Sequence, residues 1–103
     1  MIPEIQEKIR HNVYEFSEHA LTQSILRAIT LQDLHEAIAT AEIIEDYPLD
    51  KYGPSVLLLG FTRNQRPIHI HCSYPSRPLI KIITLYEPDS QRWKNNRIRR
   101  KTK

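Results

Sequence analysis

The sequence predicts an α+β domain of two layers, with N-terminal helices on one face of a three- to four-stranded antiparallel sheet, and three observations carry that expectation. Apolar residues recur at helical spacing up to about residue 41. Beyond that point they run unbroken or alternate in stretches of strand length. Turn-forming segments separate those stretches.

The first helix is expected over residues 3–10, where Ile5 and Ile9 stand four apart, and a brief extended piece follows at 13–16. Ser17 is placed to cap a second helix, in which Leu21, Ile25, Ala28 and Ile29 form the apolar stripe. Thr30 and Asp33 have the spacing of a capping box, with Asp where Glu or Gln is usual. They restart a helix whose Leu31, Leu34, Ile38 and Ala41 share a face. Residues 43–47 form a short strand ending at Pro48, and residues 51–54 (Lys-Tyr-Gly-Pro) read as a turn. Residues 55–61 are nearly all apolar, as in a central strand. The next strand covers 67–74, the one after it 79–86, and a final short helix is expected to hold Trp93.

One domain is expected over residues 1–96, with a basic tail at 97–103. Seven of the fifteen basic residues fall between Arg92 and Lys103, a stretch without acids, while the rest of the chain sums to −4. Such a cluster attracts a polyanion, most simply RNA, and draws an acidic protein equally well. Removing the residues from about 97 onward is therefore expected to spare stability and to weaken RNA binding. No apolar run is long enough to span a bilayer, and the first ten residues lack a signal peptide's apolar core. With its lone cysteine, Cys72, the chain reads as cytoplasmic, without a membrane partner, a disulfide or a multi-cysteine zinc site.

Strand alternation over 67–74 puts Ile68, Ile70 and Cys72 on one face and His69 and His71 on the other. With helices on the apolar face, both imidazoles stand on the open one, about 6.5 Å apart at Cα. Such a pair can share acid and base duties near neutral pH, contact a phosphate, supply two ligands to a metal, or simply be solvated. No nearby carboxylate completes a metal site, so no metal or cofactor is expected. His19 lies in the first turn of its helix, about 160° from Leu21 and away from the stripe, where the helix N-terminus favours a neutral ring. His35, about 40° from Leu31, reads as a boundary packing residue. Arg66, Arg77 and Lys81 surround the turns that flank the histidine strand, and an arginine fork suits phosphate. The alternation leaves the facing of Tyr86 open between core and site.

Several segments taken together resemble the bacterial domain-of-unknown-function family numbered 4258. They are His19-Ala20 with Gln23-Ser24-Ile25 and Arg27; Ile44 to Pro48 with Asp50 to Ser55; Arg66-Pro67-Ile68-His69; Cys72 to Pro78; and Thr84 to Asp89 with Trp93. The resemblance covers about residues 17 to 93. It implies a RelE/barnase-like ribonuclease toxin fold, with the RNA site on the open face of the sheet and an antitoxin protein as partner. It further implies a metal-independent endoribonuclease in which His19 and His69 act as acid and base and Tyr86 orients the substrate. Arg77, with Arg27, Lys51 and Arg66, would stabilise phosphate, His71 would be secondary, and Arg97, Arg99 and Arg100 would add affinity for RNA. The alternative is a non-catalytic RNA-binding or protein-interaction module. Histidines converging with an arginine in one cleft would favour the enzyme, and scattered ones the module.

Overall fold

In the computed structural model, which describes residues 1–101, three helices cover one face of a five-stranded mixed sheet. The helices are α1 (Ile2–Arg10), α2 (Glu18–Leu26) and α3 (Leu31–Ala39). The strands are β1 (Tyr14–Phe16), β2 (Glu42–Tyr47), β3 (Ser55–Phe61), β4 (Pro67–Ser73) and β5 (Ile80–Tyr86), in the spatial order β1-β5-β4-β3-β2. The β2, β3, β4 and β5 meander is antiparallel, but β1 adds a fifth strand parallel to β5, with Tyr14 opposite Ile80. The expected three- to four-stranded antiparallel sheet is thus corrected by a strand of three residues, too short to announce its partner.

Local chemistry explains where the helices start. Ser17 caps α2, its hydroxyl accepting from the Ala20 amide, and Thr30 and Asp33 form the reciprocal capping box of α3. The core between helices and sheet holds Ile5 and Ile9 of α1, Leu34, Ala37 and Ile38 of α3, and Val56, Leu58, Ile68, Ile70, Cys72, Ile80, Ile82 and Leu85 of the sheet. The stripe expected on α2 meets this core only at Ile29, just past the helix. Leu21 is 53% and Ile25 72% exposed, and the helix buries Ala20 and Ser24 instead. Small residues let α2 lie close against β5, and the positive φ of Ala28 (52°) ends the helix before the stripe can complete itself.

Sheet register settles the facing of Tyr86. Between β4 and β5 the pairing passes from His71↔Thr84 to Cys72↔Ile82, so Ile83 is an extra residue on β5. Ile80, Ile82 and Leu85 consequently all reach the core, and Thr84 and Tyr86 stand on the second face beside the histidines. The carbonyl of Ile83 accepts a hydrogen bond from Ser17 Oγ (2.8 Å), which ties the bulge to the start of α2.

That second face is not left open. The chain past Pro88 forms no helix around Trp93 but a hairpin, β6 (Trp93–Lys94) and β7 (Ile98–Arg99). Asn95 and Asn96 turn it, both at positive φ, a conformation asparagine tolerates better than most residues. Trp93 is buried (4% exposed) against His69, with ring centroids 4.5 Å apart. Arg97 pairs with Glu42 and Arg99 with Glu45, both on β2, and the Arg99 guanidinium lies 4.6 Å over the Trp93 ring. The expected domain boundary at 97 therefore falls inside a folded element, while Thr102 and Lys103 lie outside the described residues. Ending the chain before Ile98 removes β7 with its ion pair and the cation stacked on Trp93, and this is expected to lower Tm rather than leave it unchanged. A loss of about 1 kcal/mol corresponds to roughly 4–8 °C in a domain of this size. A thermal melt identical to that of the full chain would show that the hairpin contributes nothing.

Candidate active site

On the second face, His71 of β4 lies between Leu57 of β3 and Thr84 of β5. Together with Tyr47, Pro48, Leu49, Asp50, Tyr86 and Arg99 these residues line a cavity of about 720 Å³, within the range typical of small-ligand sites. Pro48, Leu49 and Leu57 are its apolar lining, and the polar groups come from β2, the loop after it, β4, β5 and β7.

The imidazole of His71 is held by two contacts. Its ring packs edge-on against Tyr47 with centroids 5.4 Å apart, and its Nε2 lies 2.8 Å from Ser55 Oγ. The Ser55 hydroxyl donates to Asp50 Oδ2 at 3.1 Å, so it accepts from His71 Nε2–H. This chain assigns the tautomer and leaves Nδ1 with the lone pair. Among the described residues Nδ1 has no protein partner, and no buried side-chain nitrogen or oxygen is left unpaired, so Nδ1 reaches solvent. Burial lowers the His71 pKa, and the carboxylates of Asp50 and Glu45 oppose that shift without cancelling it. The ring is therefore neutral at neutral pH, with an accessible basic nitrogen.

His69 is built differently. It is fully buried beneath the hairpin, and both ring nitrogens are engaged: Nε2 donates to the carbonyl of Asn96 at 2.6 Å, and Nδ1 accepts from the Tyr86 hydroxyl at 3.2 Å. Burial lowers its pKa as well, against the smaller raising effects of the Asn96 carbonyl and Glu45. The face expected to expose it is covered by the hairpin. His69 thus anchors the hairpin and holds Tyr86, whose own pKa is raised by burial, at the cavity edge. Below it, Glu45 receives both Arg99 and the Tyr47 hydroxyl. Burial pushes this carboxyl up, but those hydrogen bonds outweigh it and hold it below the ordinary range.

The remaining sequence-predicted residues are dispersed. His19 is exposed on α2, in the helix layer on the opposite side of the sheet from His69, so the structure does not bring the two together. Arg66 is occupied with the fold: its Nε binds Glu87 at 2.6 Å, and its amino groups donate to the carbonyls of Arg27 and Ala28 that end α2. Arg77 is exposed in the β4–β5 turn and takes no part in lining the His71 cavity. Lys51 lies over the Tyr52 ring at 4.9 Å, in the exposed 51–54 turn where Gly53 takes φ +111°. Arg27 and Arg100 use Nε on neutral oxygens, those of Gln23 and Ser90. His35 packs at the boundary as expected, its Nε2 3.0 Å from the Tyr14 hydroxyl. Cys72 is buried in the core, which pushes its thiol up to about 12 and removes it as a nucleophile. Asp50, Ser55, Tyr47 and Glu45 were absent from the sequence-level site. The polar Ser55 opening an apolar strand, five residues after Asp50, was the available signal.

Among the described residues no three His, Cys, Asp or Glu side chains group as a metal site, and no helix is long and apolar enough to cross a membrane. A family model described as "Domain of unknown function (DUF4258)" matches residues 16–87. No curated protein and no solved structure matches the chain.

Proposed function

The chain belongs to the DUF4258 family, a domain of unknown function, so its chemistry has to be read from its own site, and we propose a metal-independent endoribonuclease acting at the His71 cavity. The observation that carries this reading is the Asp50–Ser55–His71 chain, which presents a neutral imidazole nitrogen to a cavity also lined by Tyr86 and Arg99. His71 Nδ1 takes the proton of a ribose 2′-hydroxyl, and the 2′-oxygen attacks the adjacent phosphorus. The bond from phosphorus to the 5′-oxygen breaks, and that oxygen takes a proton from water in the open cavity, while Tyr86, whose hydroxyl proton is given to His69 Nδ1, accepts a hydrogen bond from the substrate and orients it. The products are a 2′,3′-cyclic phosphate and a 5′-hydroxyl end, and the exchanged protons return through water. The Arg99 guanidinium at the cavity wall favours the charge that develops on phosphorus. The same reading takes the two layers as a RelE/barnase-like toxin arrangement in the cytoplasm, with an antitoxin protein as the partner that restrains it.

The test is cleavage of a defined RNA by the purified chain. Cleavage is expected to persist in chelator. It is also expected to fall as pH drops through the His71 pKa, giving an acid limb centred below the ordinary histidine value of about 6.5. The sign follows from the base: protonation of Nδ1 below that pKa removes the acceptor. Loss of activity in chelator alone would eliminate the metal-free mechanism. RNA binding without cleavage at any pH would favour the non-catalytic binding module.

A further inference from the structure

The His71 cavity continues into a basic groove. It shares Tyr86 and Arg99 with a depression bordered by Arg27 and Arg92. That depression shares Arg92 and Arg99 with a third one, bordered by Arg100 and Lys101. Arg99 thus stands at the junction of all three, fixed there by Glu45 below and Trp93 beneath its guanidinium. Of the acids along this path, Glu87 is paired with Arg66, while Asp89 and Asp50 accept from the Gln91 amide and the Ser55 hydroxyl and keep their charge, so the cations outnumber them. Among the described residues Arg27, Arg92, Arg100 and Lys101 have no carboxylate within ion-pair distance. They come from the end of α2, from the loop before β6 and from the end of β7, and all four are exposed.

We propose that this groove is a phosphate-binding track for a single-stranded polynucleotide, in which one nucleotide enters the His71 cavity and the phosphates beside it lie along Arg27, Arg92, Arg100 and Lys101. The proposal takes RNA as the polymer from the reading above, but the groove's affinity does not depend on that chemistry. Two features favour a nucleic acid strand over an acidic protein segment. The cations follow a path rather than a scattered surface, and the path opens into an apolar cavity edged by tyrosines, where a base can stack. An acidic peptide would use the charges and leave the aromatic cavity without a role.

The experiment measures binding of a fluorescein-labelled oligouridylate of about ten nucleotides by anisotropy over a range of salt, in the non-cleaving His71→Gln chain. Replacing Arg92, Arg100 and Lys101 together by glutamine is expected to weaken binding about tenfold at low salt. The slope of log K against log salt should become shallower by about 2, because each phosphate deprived of its cation takes about 0.7 from it. Arg92→Lys with Arg100→Lys should retain the slope, because the charge is kept. Arg27→Gln, on a separate element, should flatten it by about 0.7 and serves if the triple variant fails to fold. An unchanged slope in either glutamine variant overturns the track. Equal affinity for polyglutamate overturns it in favour of an acidic protein partner. Cleavage by the chain with His71 intact is scored separately: a protein that binds with the expected slopes but cuts nothing loses the nuclease reading and keeps the groove.

Discussion

His71→Ala is expected to lower RNA cleavage by about a hundredfold or more, the scale of losing a positioned acid or base, without unfolding the chain. In barrier terms this is about 2.7 kcal/mol. The neighbouring positions give the effect its signature. Asp50→Asn keeps the size of the side chain but withdraws the charge behind the Ser55 hydroxyl, and Ser55→Ala removes the acceptor that fixes the tautomer. Both act through His71, so both should reduce kcat more than they raise KM and should shift the acid limb, whereas a structural defect would lower Tm and leave the limb in place. His19→Ala should change little, because His19 lies in the helix layer across the sheet. His69→Ala should release Tyr86 and loosen the hairpin, and its loss of activity should come with a lower Tm. Full cleavage in His71→Ala, checked by an unchanged thermal melt, would move the chemistry out of the cavity.

Gly60→Ala is expected to be the most destabilising single-methyl change in the sheet. A Cβ built on Gly60 would stand 1.9 Å from the Ala37 carbonyl oxygen and 2.5 Å from its carbon. Both are backbone atoms of α3 and cannot rotate away. The helix would have to lift from β3, and it is held there by more than apolar packing: Thr40 Oγ1 accepts from the Phe61 amide at 2.8 Å, and Glu36 accepts from the Arg63 amide at 2.9 Å. Overpacking of this kind costs about 3 kcal/mol or more, which corresponds to a fall in Tm of roughly 12 °C or more. A chemical denaturation midpoint equal to that of the parent chain would show that α3 moves freely over the sheet.

The fold was legible where local chemistry decides it. The capping box at Thr30 and Asp33, the cap at Ser17, the apolar run of β3 and the alternating β4 all lie where the residue pattern placed them. It was illegible where a single residue alters the count. The bulge at Ile83 decides whether Tyr86 belongs to the core or to the site, and alternation over β5 carries no mark of it. The hairpin was hidden by its charge: residues 97–103 read as a basic tail until Glu42 and Glu45, more than fifty positions earlier, are found opposite Arg97 and Arg99. For the same reason His69 and His71, two positions apart and alike in sequence, diverged. One lies under the hairpin with both nitrogens bonded, and the other borders the cavity with one nitrogen open.

The two outer strands of the sheet have a consequence for self-association. A long, flat, apolar outer strand invites a strand from another molecule to add to it. Here β1 has three residues and lies between two helices, leaving little length to pair with. On the other side, β2 carries Glu42, Glu45 and Asp46 and is kinked by the register shift between Ile43 and Glu45. Arg97 and Arg99 tie the hairpin across this strand, so the ion pairs that cover the second face also obstruct the border of the sheet. Aggregation by strand addition is thereby opposed at both margins, by shortness at one and by charge, a bend and a strapped hairpin at the other.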